Sequence, residues 1–127
     1  MSQEQHSIDT RRRLLTFKFA FNGISYAIRT QQNLWIHLIA ATMVIIAGFV
    51  VDLHRVEWII VIFCIGFVIS AELFNTAIES FSDAVHPDYN PKIKIVKDLA
   101  AAAVLVSAII SAIIGIIIFI PKFGIWE

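Results

Sequence analysis

Four polar side chains, Glu72, Asn75, Glu79 and Asp83, stand at steps of three, four and four behind the apolar run of residues 58–70. On one continuous helix they stay within an arc of about 80°. Carboxylates within or beside a membrane span are costly, and their default meaning is a functional site. Counting about 20 residues from Trp58 puts the edge of the hydrocarbon near Ala77. Glu72 then lies about 8 Å inside that edge, Glu79 at it, and Asp83 among headgroups and water. The inner carboxylate can meet a group presented by a lipid, and partial withdrawal from water makes it the better proton acceptor. Glu79, better hydrated, suits a hard cation such as Mg²⁺, which takes few carboxylates and keeps waters and phosphate oxygens. Lys97, beside Asp98 on the same membrane side, offers a positive charge to phosphate. Together these parts fit phosphoryl transfer from a metal nucleotide to a lipid hydroxyl, where positioning and charge neutralisation dominate. A non-enzymatic three-span oligomer whose stripe lines a proton or cation pathway is equally physical.

Other chemistries lack their signatures. There is no G-x-x-x-x-G-K-[ST], and the five glycines are scattered singly. His6, His37, His54 and His86 are far apart in sequence and match no zinc spacing. No local Ser/His signature of nucleophilic catalysis occurs either. Cys64 is the single cysteine, so no internal disulfide can form, and its mid-span position suits a small core hydrophobe. Lys+Arg and Asp+Glu are both 10, and no basic block interleaved with aromatics points to nucleic acid.

The elements that must hold the stripe follow from hydropathy. The 127 residues are 58% hydrophobic, with mean hydropathy +0.79, an excess that belongs in a bilayer. The expected fold is an all-α membrane protein, a single integral-membrane domain over residues 1–127. Residues 1–10 are polar and expected to fray. Residues 12–30 read as an amphipathic surface helix, with Leu14, Phe17, Phe21, Ile24 and Ile28 on one face and Lys18, Asn22, Ser25 and Arg29 on another. The same polar interruptions leave no continuous apolar core for a cleavable signal peptide.

Residues 34–51 form a first membrane helix whose only titratable group is His37, taken as a satisfied interfacial side chain. Residues 58–85 form the second, opened by an interfacial Trp58. Residues 86–91 break it, and Asn90 followed by Pro91 reads as an N-cap with proline at the first helical position. The third runs over residues 93–120 and carries Ala103, Ser107, Ser111 and Gly115 every four residues, a stripe suited to close helix contact. Arg11, Arg12, Arg13, Lys18 and Arg29 precede the first span, and Lys92, Lys94 and Lys97 follow the second. That bias places the N-terminus and the 86–98 loop in the cytoplasm, in an inner (cytoplasmic) membrane, with the stripe on the cytoplasmic side.

The run Glu72-Leu73-Phe74-Asn75-Thr76-Ala77-Ile78-Glu79, then Asp83, then Lys97-Asp98 and the alanines leading to Val104 and Leu105, closely resembles the small prokaryotic diacylglycerol kinases. The pattern E-x-x-N-[ST]-A-I-E…D…K-D is specific. The resemblance extends over roughly residues 12–120, taking in Gly23 and the segment Asn33-Leu34-Trp35-Ile36-His37-Leu38. It implies a homotrimer of three-span chains with an N-terminal surface helix. The implied activity is Mg²⁺-dependent transfer of the γ-phosphoryl group of ATP to a lipid alcohol, at sites shared between neighbouring subunits.

Carried over by position, the resemblance makes Glu72 the proton acceptor and Glu79 a metal ligand. It sets Asn75, Lys97 and Asp98 around the nucleotide and its phosphates. By offset, Arg12, Asp88, Tyr89 and Asn90 fall where the family contacts ATP, as does Phe19 in place of a frequent tyrosine. Gln31 stands where the family usually has a glutamate that shares the metal with the Glu79 equivalent, and Trp35 where an arginine is common. An amide oxygen ligates Mg²⁺ without charge, so a lower metal affinity is expected. The 83–91 loop and residues 29–33 look more like the branch assigned as undecaprenol kinases than the type that prefers diacylglycerol.

Overall fold

The computed structural model describes residues 3–124. Among these residues there are helices and turns but no strand: α1 (Gln3–Thr30), α2 (Gln32–Val50), α3 (Arg55–Val85) and α4 (Pro91–Phe119), the last running into a 3-10 turn at Ile120–Phe123. The all-α expectation holds, and α2, α3 and α4 with its 3-10 turn are each long and apolar enough to cross a membrane. The chain resolves into two compact units, Met1–Gln32 and Asn33–Glu127.

In the first unit, α1 begins at Gln3, so the expected fraying of residues 1–10 is corrected for all but the first two, which lie outside the described residues. Local side-chain bonds carry the early turns. Ser7 Oγ donates to Glu4 O at 2.8 Å and Thr10 Oγ1 to His6 O at 3.0 Å. Arg13 pairs with Asp9 one turn away at 3.1 Å, and Glu4 sits in the first turn, where the helix dipole favours an anion. Leu14, Phe17, Phe21 and Ile24 are exposed along one stripe, as an interfacial helix requires.

In the second unit, α2 and α3 are joined by a tight turn. Asp52 adopts a left-handed conformation, φ 56°, and Leu53 N donates to Gly48 O at 3.0 Å, closing the end of α2. Glu57 accepts from the His54 N–H at 2.8 Å, capping α3, and its Oε2 also takes Lys122 Nζ at 2.9 Å. Trp58 and Leu53 press on Gly48, where an added Cβ would stand 2.7 Å from the indole and 2.9 Å from Leu53 Cδ1. Gly48→Ala should therefore destabilise the α2–α3 turn by about 1–3 kcal/mol through overpacking. A lower melting temperature in detergent with unchanged helicity is the expected reading.

The two long helices pack along complementary seams. Val61, Ile65, Val68, Glu72, Asn75, Glu79 and Ser82 recur on α3 at alternating steps of four and three, and all are buried or half-buried. On α4 the same alternation runs through Ala100, Val104, Ser107, Ser111, Ile114 and Ile118. This 3.5-residue period is that of a coiled-coil-like contact. Its antiparallel register is fixed by Val61 in one cluster with Ile118, by Ser111 Oγ donating to Cys64 O at 3.5 Å, and by Lys97 Nζ on Asp83 Oδ1 at 2.8 Å. The stripe expected on α4 is thus partly right: Ser107 is buried and Ser111 bonds across, but Ala103 is exposed because the seam drifts to Val104. Away from the seams the spans present apolar residues outward, among them Phe49 at 74% and Phe63 at 72% exposure. Such surfaces call for lipid or another chain.

Candidate active site

The α3 seam changes character halfway along. Val61, Ile65 and Val68 are succeeded by Glu72, Asn75, Glu79 and Ser82, so the helix buries its chemistry by the same period that buries its core. Glu72 is 1% exposed and Asn75 5%. Thr76 Oγ1 closes on Glu72 O at 2.9 Å and is satisfied within the helix. Asn75 Nδ2 donates to Glu79 Oε1 at 3.5 Å. Two buried acceptors, Glu72 Oε1 and Asn75 Oδ1, have no hydrogen-bond partner. A buried polar atom left unpaired is costly and calls for a donor or a cation from outside the fold.

Glu72 Oε2 faces His37 Nε2 of α2 at 3.8 Å. The sequence marks His37 as an interfacial side chain; its contact with Glu72 joins two helices and leaves no trace in local spacing, the one signal being that His37 is the sole titratable group of α2. Beside this pair opens a cavity of about 510 Å³, lined by α2, α3 and α4 and apolar over most of its wall, with Ala41, Val44, Val68, Ile69 and Gly115 among its residues. His37 lines it and Glu72 does not. Cys64, expected as a small core residue, is half-buried on the same wall.

At the end carrying the 86–90 loop, the charges are paired with each other. Lys97 holds Asp83, and Asp98 takes Lys94 Nζ at 2.6 Å. Both pairs are substantially exposed and therefore weak, so an arriving phosphate can take over Lys97 at little cost. Asp88 and Tyr89 are exposed in the loop, where the Asp88 carbonyl lies 2.9 Å from His86 Nδ1. Asn90 caps α4 as expected, its Oδ1 accepting from Lys92 N at 2.9 Å and Ile93 N at 3.4 Å. Only its amide NH₂ is left over for a ligand.

The remaining sequence candidates belong to the unit of α1. Arg12 and Phe19 are exposed and seven residues apart, so they share one face, about 20° apart around the helix. That face lies about 160–180° from the centre of the apolar stripe. A guanidinium and an aromatic ring turned together away from the lipid side are suited to a nucleotide. Gln31, just after α1, donates its N–H to Ala27 O at 2.8 Å and its Nε2 to Thr30 Oγ1 at 3.4 Å.

The donor set can be tested against the divalent cation expected at Glu79. The Glu79 carboxylate and the unpartnered Asn75 Oδ1 are hard oxygen donors one turn apart on one seam. Among the described residues no three His, Cys, Asp or Glu side chains gather around a metal position. Few protein oxygens with the rest from water and phosphate is how Mg²⁺ is held, and the residues fit it.

Comparison with known proteins gives concordant matches. The family described as prokaryotic diacylglycerol kinase matches residues 18–119. The chain is 43% identical over 122 residues to the undecaprenol kinase of Bacillus subtilis (strain 168), covering 96% of this chain and 99% of that one. It is 38% identical over 109 residues to a diacylglycerol kinase of Synechocystis sp., covering 85% of this chain and 62% of that one.

Proposed function

The chain belongs to the prokaryotic diacylglycerol kinase family, and from that premise we propose that it is a membrane kinase moving the γ-phosphoryl group of ATP to the hydroxyl of a lipid alcohol. The observation that carries the reading is a buried carboxylate, Glu72, lying behind the His37 end of an apolar cavity between membrane helices. The cavity suits the hydrocarbon of the substrate and the carboxylate suits the hydroxyl proton. Undecaprenol is the favoured alcohol over diacylglycerol, in keeping with the 83–91 loop and with the near-full-length relative of that activity. The rival reading, an ion or proton pathway, is not favoured, since both relatives are named as kinases and the cavity beside Glu72 is apolar.

In this reading Glu72 is the proton acceptor. Lys97 leaves Asp83 to meet phosphate, and Asn75 and Asp98 order the groups around it. Arg12, Phe19, Asp88, Tyr89 and the Asn90 amide meet the nucleotide. Glu79 holds Mg²⁺, with Gln31 as an uncharged second ligand; when bound, the ion neutralises charge on the phosphates. Residues 1–127 act as one kinase domain, which is supported by a family match that begins within α1 and ends in α4. The working form is a homotrimer with shared sites in the cytoplasmic (inner) membrane, its N-terminus and active site cytoplasmic, as the distribution of Lys and Arg favours.

The test is a side-by-side assay of the purified protein in lipid vesicles with γ-labelled ATP, saturating Mg²⁺, and undecaprenol or diacylglycerol. Label should enter both lipids to some degree, undecaprenol faster, because an apolar pocket separates two lipid alcohols poorly. Label in neither lipid would overturn the reading.

A further inference from the structure

The cavity and the carboxylate do not touch directly. Glu72 is 1% exposed and forms no part of the cavity wall, whereas His37 lines the wall and stands with Nε2 3.8 Å from Glu72 Oε2. Among the described residues His37 is also the only basic side chain on that wall, and it marks the end from which the cavity runs toward Phe119 and Phe123. A lipid alcohol lying in the cavity with its chain along α4 therefore brings its hydroxyl to an imidazole before it can reach the carboxylate. Resting on the kinase reading, we propose that His37 is a further catalytic residue, a proton relay between the lipid hydroxyl and Glu72.

Ring chemistry supports the assignment. A neutral imidazole is both a donor and an acceptor, on opposite sides of the ring. With the proton on Nε2, the ring faces Glu72 with a donor and leaves Nδ1 as the acceptor for the hydroxyl. The hydroxyl oxygen bonds to the γ-phosphorus of ATP while the bond from that phosphorus to the β–γ bridging oxygen breaks, and ADP leaves. The hydroxyl proton passes to Nδ1 as the Nε2 proton passes to Glu72 Oε2. The ring stays neutral in its other tautomer, and Glu72 holds the proton until it is lost to water. The 3.8 Å separation needs only a small closure to become a hydrogen bond, and catalytic contacts commonly tighten when substrate is bound. Val68 and Ile69, the wall residues one turn before Glu72 on α3, are apolar and cannot carry a proton, whereas His37 faces the carboxylate with a ring nitrogen.

Two variants test the relay in the same vesicle assay. His37→Gln keeps a donor near the Nε2 position but cannot pass a proton through the ring. It should lower kcat about 100-fold with KM for ATP unchanged and the melting temperature retained. His37→Ala should be equally slow, and added imidazole should restore it by at least about tenfold while leaving His37→Gln slow. Near-normal turnover of His37→Gln, or no response of His37→Ala to imidazole, would overturn the relay while leaving the kinase reading standing. A wild-type chain that labels no lipid alcohol would instead remove the kinase reading itself.

Discussion

Glu72→Gln is expected to reduce lipid phosphorylation by about 10²–10⁴-fold, the contribution of a positioned base. The amide has the size of the carboxylate and can still meet the His37 imidazole, so packing is preserved. It cannot accept a proton at neutral pH, so the hydroxyl would have to attack without losing its proton in step. The fold should respond in the opposite sense. Glu72 is fully buried, one of its oxygens has no partner, and the imidazole facing the other lies at 3.8 Å. Removing a poorly compensated buried charge relieves a desolvation cost, so the melting temperature should stay level or rise. Loss of turnover with stability kept or gained is the pattern of a catalytic group, set in place at the expense of the fold. A stable variant with near-normal turnover would move the base elsewhere.

The legible part of this site is the part confined to one helix. Glu72, Asn75 and Glu79 could be placed together from their steps of three and four, because a helix converts spacing directly into facing. As far as Glu79 the same steps proved to be the packing seam, which is why Glu72 and Asn75 are buried rather than merely turned to one side, whereas the seam continues through Ser82 and leaves Asp83 exposed. The ends of α3 and α4 were legible too: Pro87 follows α3, and Asn90 with Pro91 opens α4.

What was hidden depends on how separate helices meet. The pairing of Lys97 with Asp83 follows from the antiparallel register of α3 and α4, set by contacts such as Val61 with Ile118 that no local pattern announces. The meeting of His37 with Glu72 depends on the approach of α2. The early start of α1 was missed for a different reason. Polar residues 3–10 suggested solvent and fraying, whereas short-range bonds such as Thr10 to His6 hold the turns without any core. Low hydrophobicity argues against burial, not against a helix.

Glu79→Gln is the second large effect expected, a loss of about 10²-fold or more at limiting Mg²⁺ that partly recovers as the metal is raised. Glu79 is the one carboxylate proposed to hold the ion, and its proposed companion, Gln31, brings an oxygen without charge. A hard divalent cation loses most when its only protein carboxylate becomes an amide. The converse change, Gln31→Glu, should lower the Mg²⁺ concentration for half-maximal rate in the otherwise native chain. Joining the two changes separates a shared ion from two unrelated effects. If both positions serve one cation, Gln31→Glu with Glu79→Gln restores a single carboxylate and should recover much of the activity lost by Glu79→Gln alone, a coupling that independent sites would not show. Titrating Mg²⁺ against rate at saturating ATP for the four proteins gives that coupling directly. Simple multiplication of the two single effects would assign Gln31 a role apart from the metal, and Glu79 would then have to draw its other oxygens from Asn75, water and the phosphates.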